Sequence, residues 1–177
     1  MDEDQYRSAY REMNPTRCYF EKLLLLRYGQ CEQSEKLFLA EREAFSCKNA
    51  VAQQRCYRLL ENLRSSSRFA LQITQADSPL PHAKEIKVQV GGLFGLQQLL
   101  ADKNLTETNI LNDDDAKFGE QARQQAPIEN IFATINETIA QFQTLADIPY
   151  NEVVKSIINF KLPERKRRSK RKRSDQQ

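Results

Sequence analysis

Residues 16–63 read TRCYFEKLLLLRYGQCEQSEKLFLAEREAFSCKNAVAQQRCYRLLENL and hold every cysteine of the 177-residue chain. Twelve, fifteen and eight residues separate the successive cysteines, which are Cys18, Cys31, Cys47 and Cys56. No two of them form the C-x2–4-C pair of a zinc knuckle, so a shared site needs ligands from separate elements. Leu, Glu, Gln, Lys and Arg are frequent in this stretch and favour helix over sheet. The sequence therefore predicts cysteines carried on a helical frame.

Apolar residues recur at three- and four-residue spacing outside this stretch as well, which is typical of amphipathic helices. The clearest case follows Pro127, where Ile131, Ile135 and Ile139 share one face. Residues 82–100 are expected to form a helix or an extended segment packed on helices. The other predicted helices cover about residues 15–28, 31–45, 49–73 and 149–160. We therefore predict an all-α fold, a single helical bundle of five or six helices with a disordered basic C-terminal tail.

One domain is the expectation for a chain of this length. The predicted boundaries are a polar N-terminal segment over 1–14, a helical domain over 15–162 with cysteine-bearing helices at 15–74, and a disordered basic tail over 163–177. The N-terminus lacks the apolar region of a secretory signal, and no run approaches the roughly 18 apolar residues that cross a bilayer. A cytoplasmic protein with mostly reduced thiols is therefore expected.

Helix lengths favour pairs of cysteines over a single site. A first helix over residues 15–28 would be about 20 Å long at 1.5 Å per residue, which places Cys18 and Cys31 at opposite ends. Straight antiparallel packing of the next two helices would then pair Cys18 with Cys47 and Cys31 with Cys56. A single four-thiolate site requires crossed helices or a broken first helix.

Three interpretations of the cysteines remain open. One is a shared zinc or iron–sulfur site, since four thiolates suit these metals and do not suit magnesium or calcium. The second is redox-active or structural disulfides. The third is simple core packing, because free cysteine is among the most buried residue types.

The C-terminal tail carries the net positive charge. Residues 164–177 contain eight of the 27 Lys and Arg residues and two of the 24 acidic residues, so the rest of the chain is net acidic by three charges. Such a run binds phosphates without sequence preference, which predicts nucleic acid as the first partner and another polyanion, such as an anionic membrane surface, as the second. The predicted nucleic-acid-binding residues are Arg165, Lys166, Arg167, Arg168, Lys170, Arg171, Lys172 and Arg173.

Four further motifs are interpreted as structural. The run GGLFG at 91–95 lacks the Lys-Ser/Thr of a phosphate-binding P-loop, so close helix packing or a sharp turn is favoured. His82, the single histidine, is a candidate base or fifth metal ligand, but a solvated loop residue is favoured. The aspartates at 113–115 lack the EF-hand pattern and favour a solvated turn. Residues 41–43 (ERE) fit either contacts around a metal site or an ordinary charged face.

A resemblance covers most of residues 17–162. The four cysteines, the C-x-F-E-K motif that begins at Cys18, the runs AERE at 40–43 and RFAL at 68–71, and VQVGGL-x-GLQ at 88–97 resemble a group of small uncharacterised bacterial four-cysteine proteins. The resemblance implies a bacterial cytosolic setting. That group has no established activity, so the resemblance implies no chemistry.

The function predicted from these observations is that of a non-enzymatic accessory or regulatory protein. It would hold a cysteine-coordinated metal or iron–sulfur site and bind nucleic acid non-specifically through its tail. The alternatives are a thiol-redox protein or sensor that uses cysteine pairs, and a metal-free helical scaffold for protein partners. No catalytic residue is predicted.

Overall fold

A computed structural model describes residues 3–39, 41–73, 80–108 and 127–162. The helices are α1 (Glu3–Met13), α2 (Glu21–Leu25), α3 (Ala50–Ser67), α4 (His82–Ile86), α5 (Gly92–Thr108), α6 (Ile131–Phe142) and α7 (Tyr150–Asn159). The strands are β1 (Ser34–Leu39) and β2 (Arg42–Cys47), and a π-helical segment (Lys87–Gly91) joins α4 to α5 without a break. The described part of the chain therefore combines helices with a two-stranded antiparallel sheet.

The predicted all-α class is wrong, because the second predicted helix is a β-hairpin. Residues predicted as a helix over 31–45 contribute to β1 and β2, which pair antiparallel. Hydrogen bonds from outside the hairpin hold β2: the Cys18 N–H donates to the Phe45 carbonyl at 2.9 Å, and the Cys47 N–H donates to the Thr16 carbonyl at 2.7 Å. Helix propensity is worth only a few tenths of a kcal/mol per residue, so tertiary contacts override it. The fold is α+β.

The first predicted helix, over residues 15–28, is also largely wrong. Its helical part is the five-residue α2. The chain then turns at Arg27, whose φ is 62°, and Gly29 forms a parallel bridge with Ile128. A Cβ at Gly29 would lie 2.9 Å from the Ile128 carbonyl oxygen, so this approach requires glycine. The short helix and the bridge bring the segment after Gly29 to the start of α6.

The remaining predicted helices are present, although α3 ends at Ser67 and not near residue 73. Asn49 caps α3, its side chain accepting from the N–H groups of Val51 at 2.9 Å and Ala52 at 3.1 Å. Residues 82–100 are helical, as one of the two predicted alternatives held. The largest fully buried side chains come mostly from α3, α5, α6 and α7 and form one core. They include Leu59, Leu60, Leu63, Leu93, Leu96, Ile131, Ile135 and Ile157.

The glycine run at 91–95 packs against α7, which confirms its structural interpretation. A Cβ on Gly91 would lie 2.7 Å from the Ile157 Cα, and one on Gly95 would lie 3.0 Å from the Val153 Cα. The backbones therefore approach more closely than any side chain allows. Within the described residues, no helix has both the length and the apolar character that crossing a bilayer requires. The aspartates at 113–115 and the tail from residue 163 onward lie outside the described residues.

Candidate metal centre

The four cysteines line one small cavity. Cys18 precedes α2, Cys31 precedes β1, Cys47 ends β2 and Cys56 lies on α3. The cavity between their side chains has a volume of about 10 Å³, roughly the space of one water molecule. Its other lining residues are Tyr19, Phe20, Gln33, Ser34, Ser46, Ala52, Gln53, Ile131 and Phe132. Four separate segments therefore deliver every thiol of the chain to one place.

The hairpin explains why these segments meet. Ser34 pairs with Cys47 at the open end of the hairpin, so Cys31, three residues earlier, lies at the same end. Residues 16–18 run along the other side of β2, through the hydrogen bonds already described. The chain enters α3 directly after β2, and Cys56 lies four residues beyond Ala52 on its buried face. The helix-length argument for two separate pairs therefore fails, because the first helix ends after five residues.

Neighbouring thiols contribute to the pKa shifts of Cys18, Cys31 and Cys56. Burial, with a smaller contribution from charges on Cys31 and Cys47, raises the pKa of Cys18 to about 12. Burial also raises the pKa of Cys56, on which charges at all three other cysteines act. Burial raises the pKa of Cys31, and charge on Cys47 adds to it. All six pairs of cysteines interact, which is the pattern of one cluster and not of two isolated pairs.

Backbone N–H groups lie near two of the sulfur atoms. Those of Gln33, Phe132 and Ser34 lower the pKa of Cys31 against the effect of burial, although the Phe132 N–H donates to the Asn130 side chain at 3.1 Å and the Ser34 N–H donates to the Cys31 carbonyl at 3.0 Å. The Phe20 N–H does the same for Cys18. Hydrogen bonds of this kind favour the thiolate over the thiol, and hydrogen bonds to cluster sulfurs tune iron–sulfur sites. Cys18 and Cys31 are therefore neutral thiols that a bound cation would convert to thiolate ligands.

Cys47 has a different environment. Its Sγ donates a hydrogen bond to the backbone carbonyl of Asn49 at 3.2 Å. Metal ligation by Cys47 would replace this hydrogen bond. Among the residues that the structure describes, no group of three or more His, Cys, Asp or Glu side chains has the arrangement of a ready-made metal site. The four cysteines line a common cavity, but their sulfur atoms are not arranged around a single metal position.

The size of the cavity agrees with that finding. A water-sized sphere fits between the side chains, whereas four sulfurs bound to zinc stand about 2.3 Å from the ion. Binding of one zinc ion would require the cysteine side chains to move inward. An iron–sulfur cluster, whose inorganic atoms lie between the four sulfurs, would require them to move apart.

Other residues considered from the sequence lie away from the cavity lining. His82 is exposed at the first position of α4. Glu43 forms ion pairs with Lys36 at 2.6 Å and Arg27 at 3.2 Å at the far end of the hairpin. Neither His82 nor residues 41–43 line the cavity.

The sequence also gave no indication that α6 closes the cavity. Phe132 lies 76 positions after Cys56 in the chain, and it reaches the cysteines because Gly29 pairs with Ile128. No local pattern encodes that contact. Comparisons with protein-family models, with curated proteins and with solved structures gave no match to this chain. The geometry and the donor chemistry of the cavity therefore carry the functional argument.

Proposed function

We propose that the protein is a cysteine-ligated metal protein, in which Cys18, Cys31, Cys47 and Cys56 hold one iron–sulfur cluster or one zinc ion. It acts as an accessory or regulatory protein, in the cytoplasm, where thiols stay reduced. The observation that carries the proposal is the convergence of all four cysteines on one cavity. Four thiolates are the donor set that zinc and iron–sulfur clusters share.

The arrangement supports a metal over thiol-redox chemistry. A redox-active cysteine needs a stabilised thiolate with solvent access. In this cavity burial raises the pKa of Cys18, Cys31 and Cys56, so their thiols are neutral and poorly nucleophilic near pH 7. A bound cation would convert these neutral thiols to thiolates, because metal binding displaces the thiol protons.

The arrangement also supports a metal over simple packing. Cysteines that only fill a core have no reason to share one cavity, yet this chain places all four there and none elsewhere. This grouping follows directly if the sulfurs act as thiolate ligands.

The test is anaerobic purification followed by metal analysis, visible absorption and thiol counting. A coloured protein with iron and sulfide identifies a cluster, and a colourless protein with one zinc per chain identifies an ion. Cys56→Ser should lose most of the bound metal. The matched control is Tyr19→Phe, which changes a residue of the same cavity and keeps all four thiols. Metal-free wild-type protein with four titratable thiols would overturn the proposal.

The second part of the proposal concerns the tail. Residues 165–173 carry eight cations and no acidic residue, which supports salt-dependent binding of nucleic acid. Removal of the chain after Pro163 should abolish most of the binding to nucleic acid at low salt. Unchanged binding by the truncated protein would contradict this role of the tail.

A further inference from the structure

A second group of basic residues lies on the folded part of the chain, beside the cysteine cavity. Its members, called the cationic patch, are Arg17, Lys48, Arg55 and Arg58, and all four are exposed. Three of them are direct neighbours of cysteines in the sequence. The Gln53 side chain donates to the Arg17 carbonyl at 3.0 Å, which fastens the first segment of the patch to α3. Arg55 and Arg58 line one open depression on the outer side of α3.

The segments that supply the cationic patch lack acidic residues, although the folded part of the chain is net acidic. Residues 14–20 and 44–60, which supply it, contain no Asp or Glu. The chain up to residue 163 is nevertheless net acidic by three charges. The absence of acidic residues from these two segments leaves their four cations with a local positive charge that overall composition does not predict.

The cations of the patch are not engaged in ion pairs with the described residues. The described ion pairs involve Glu43, Glu61, Glu85 and Glu152 and none of the four patch residues. Arg55 donates to a neutral acceptor, the Asn136 side chain, at 2.7 Å. Their charge is therefore available to an anionic partner.

Aromatic rings adjoin these cations. The Arg17 guanidinium lies 5.6 Å from the centre of the Tyr19 ring, and the Tyr19 and Tyr57 rings are 5.0 Å apart at 49°. Tyr57 is 39% exposed, so part of its ring is open to a ligand. A membrane surface or an acidic protein would use the charges alone. A nucleic-acid strand with unpaired bases would use both features, because phosphates bind the cations and bases stack on aromatic rings.

We infer that the cationic patch, with the Tyr19–Tyr57 pair, is a binding surface for single-stranded nucleic acid. The strand crosses the face of the protein that covers the cysteine cavity. This inference goes beyond the proposed function, since it assigns binding to the folded part of the chain, and it does not require a metal. The tail then acts as a second contact that raises the local concentration of the same strand.

The test measures binding of the full chain to a labelled oligothymidine across a range of salt concentrations. The variant Arg17→Gln/Arg58→Gln removes two patch cations. The matched control, Lys84→Gln/Lys155→Gln, makes the same change of net charge at two sites outside the patch, one half-buried and one exposed. The patch variant should lower the slope of log affinity against log salt by about 1.4, at 0.7 per phosphate contact. Equal slopes for the two variants would overturn the inference, because the tail and net charge would then explain all binding.

A second measurement addresses stacking and separates nucleic acid from other polyanions. Tyr57→Leu should weaken oligothymidine binding roughly tenfold and leave heparin binding unchanged. Tyr57→Phe keeps the ring and should bind as wild type. The free energy of unfolding, measured by urea denaturation for each variant, reports on an intact fold independently of binding. Equal losses for oligothymidine and heparin, or tighter binding of duplex than of single strands, would overturn the assignment to unpaired bases.

Discussion

Arg64 and Glu85 form a bidentate ion pair between α3 and α4. The Arg64 Nε donates to the Glu85 Oε2 at 3.1 Å, and its Nη2 donates to the Oε1 at 2.7 Å. Glu85 is 4% exposed, and the Gln89 side chain adds a hydrogen bond to its Oε1 at 2.8 Å. Gln89 in turn accepts from the Leu23 N–H at 3.4 Å. This chain of polar contacts connects α3, the π-helical segment and α2.

Removal of Arg64 should destabilise the protein strongly. Arg64→Met leaves the Glu85 carboxylate buried without its cation, and breaking a buried pair in this way costs about 3 kcal/mol. Chemical denaturation gives the free energy of unfolding. Arg64 also pairs with the exposed Glu61 at 2.6 Å, so Glu61→Gln is the matched control and should cost under about 1 kcal/mol. Similar losses for both variants would show that burial of Glu85 does not matter.

Gly91 and Gly92 should respond differently to the same substitution. A Cβ at Gly91 would lie 2.7 Å from the Ile157 Cα, which is backbone and cannot move alone. A Cβ at Gly92 would meet the Leu63 Cδ1 at 2.8 Å, the end of a flexible side chain. Gly91→Ala should therefore lower stability by about 2 kcal/mol through overpacking. Gly92→Ala should be nearly neutral, because better helix propensity offsets a small rearrangement.

Thermal and chemical unfolding of the two glycine variants provides the measurement. Both variants make the same chemical change at adjacent positions, so each controls for the other. Equal destabilisation would mean that the contact of the Gly91 backbone with α7 is not specific.

The helical core could be predicted from the sequence because its pattern is local. Ile131 and Ile135 on α6, and Val153 and Ile157 on α7, are spaced by four residues and are buried together. Apolar residues three or four positions apart lie on one face of a helix, so their spacing identifies the buried face. The same holds for the glycine run, whose lack of phosphate-binding residues indicated a packing role.

The hairpin could not be predicted in the same way. Ala44, Phe45 and Ser46 are all buried, since β2 lies between β1 and residues 16–18, so the alternation typical of a half-buried strand is absent. Helix-favouring Glu, Lys and Leu residues surround them. A shared cysteine site was one of the interpretations left open, but the helix-length argument favoured pairs for the same reason, because the convergence follows from the hairpin and from the early end of α2. Long-range hydrogen bonds determine both features.

The cap of α6 should affect both stability and the cysteine site. The Asn130 side chain accepts from the Phe132 N–H at 3.1 Å, and also from the Glu32 N–H at 3.5 Å in the Cys31 loop. Asn130→Ala should cost about 1 kcal/mol of stability, as loss of a cap does. It should also weaken retention of the bound metal about tenfold, because it frees a segment that orients a ligand.

Competition with a chelator measures that retention. Asn130→Asp preserves the cap and should restore both properties. The control is Asn136→Ala on the same helix, where the side chain contacts the exposed Arg55. Loss of stability with unchanged metal retention in Asn130→Ala would separate the cap from the cysteine site and contradict the prediction.

The metal-free protein should lose stability in alkaline solution. In the folded state burial raises the pKa of Cys18 to about 12 and raises that of Cys31 and Cys56, whereas an exposed thiol ionises near pH 8.5. Between these values the unfolded chain releases protons and the folded chain retains them, so stability is complete below about pH 8.5 and falls as pH rises toward 12. The loss should reach about 2 kcal/mol for Cys18 near pH 11, less than its full shift implies, since the thiol is only partly buried.

Urea unfolding of the metal-free protein across this pH range measures the loss. Cys18→Ser removes one of the responsible thiols and keeps every other titrating group, so its stability should decline less steeply with pH. With the proposed metal bound, stability should instead rise with pH below about pH 8.5. The folded protein would then carry thiolates and the unfolded chain thiols, so binding would release protons to the solvent and strengthen as pH rises. Identical pH dependence of wild type and Cys18→Ser would contradict a buried, neutral Cys18 in the metal-free fold.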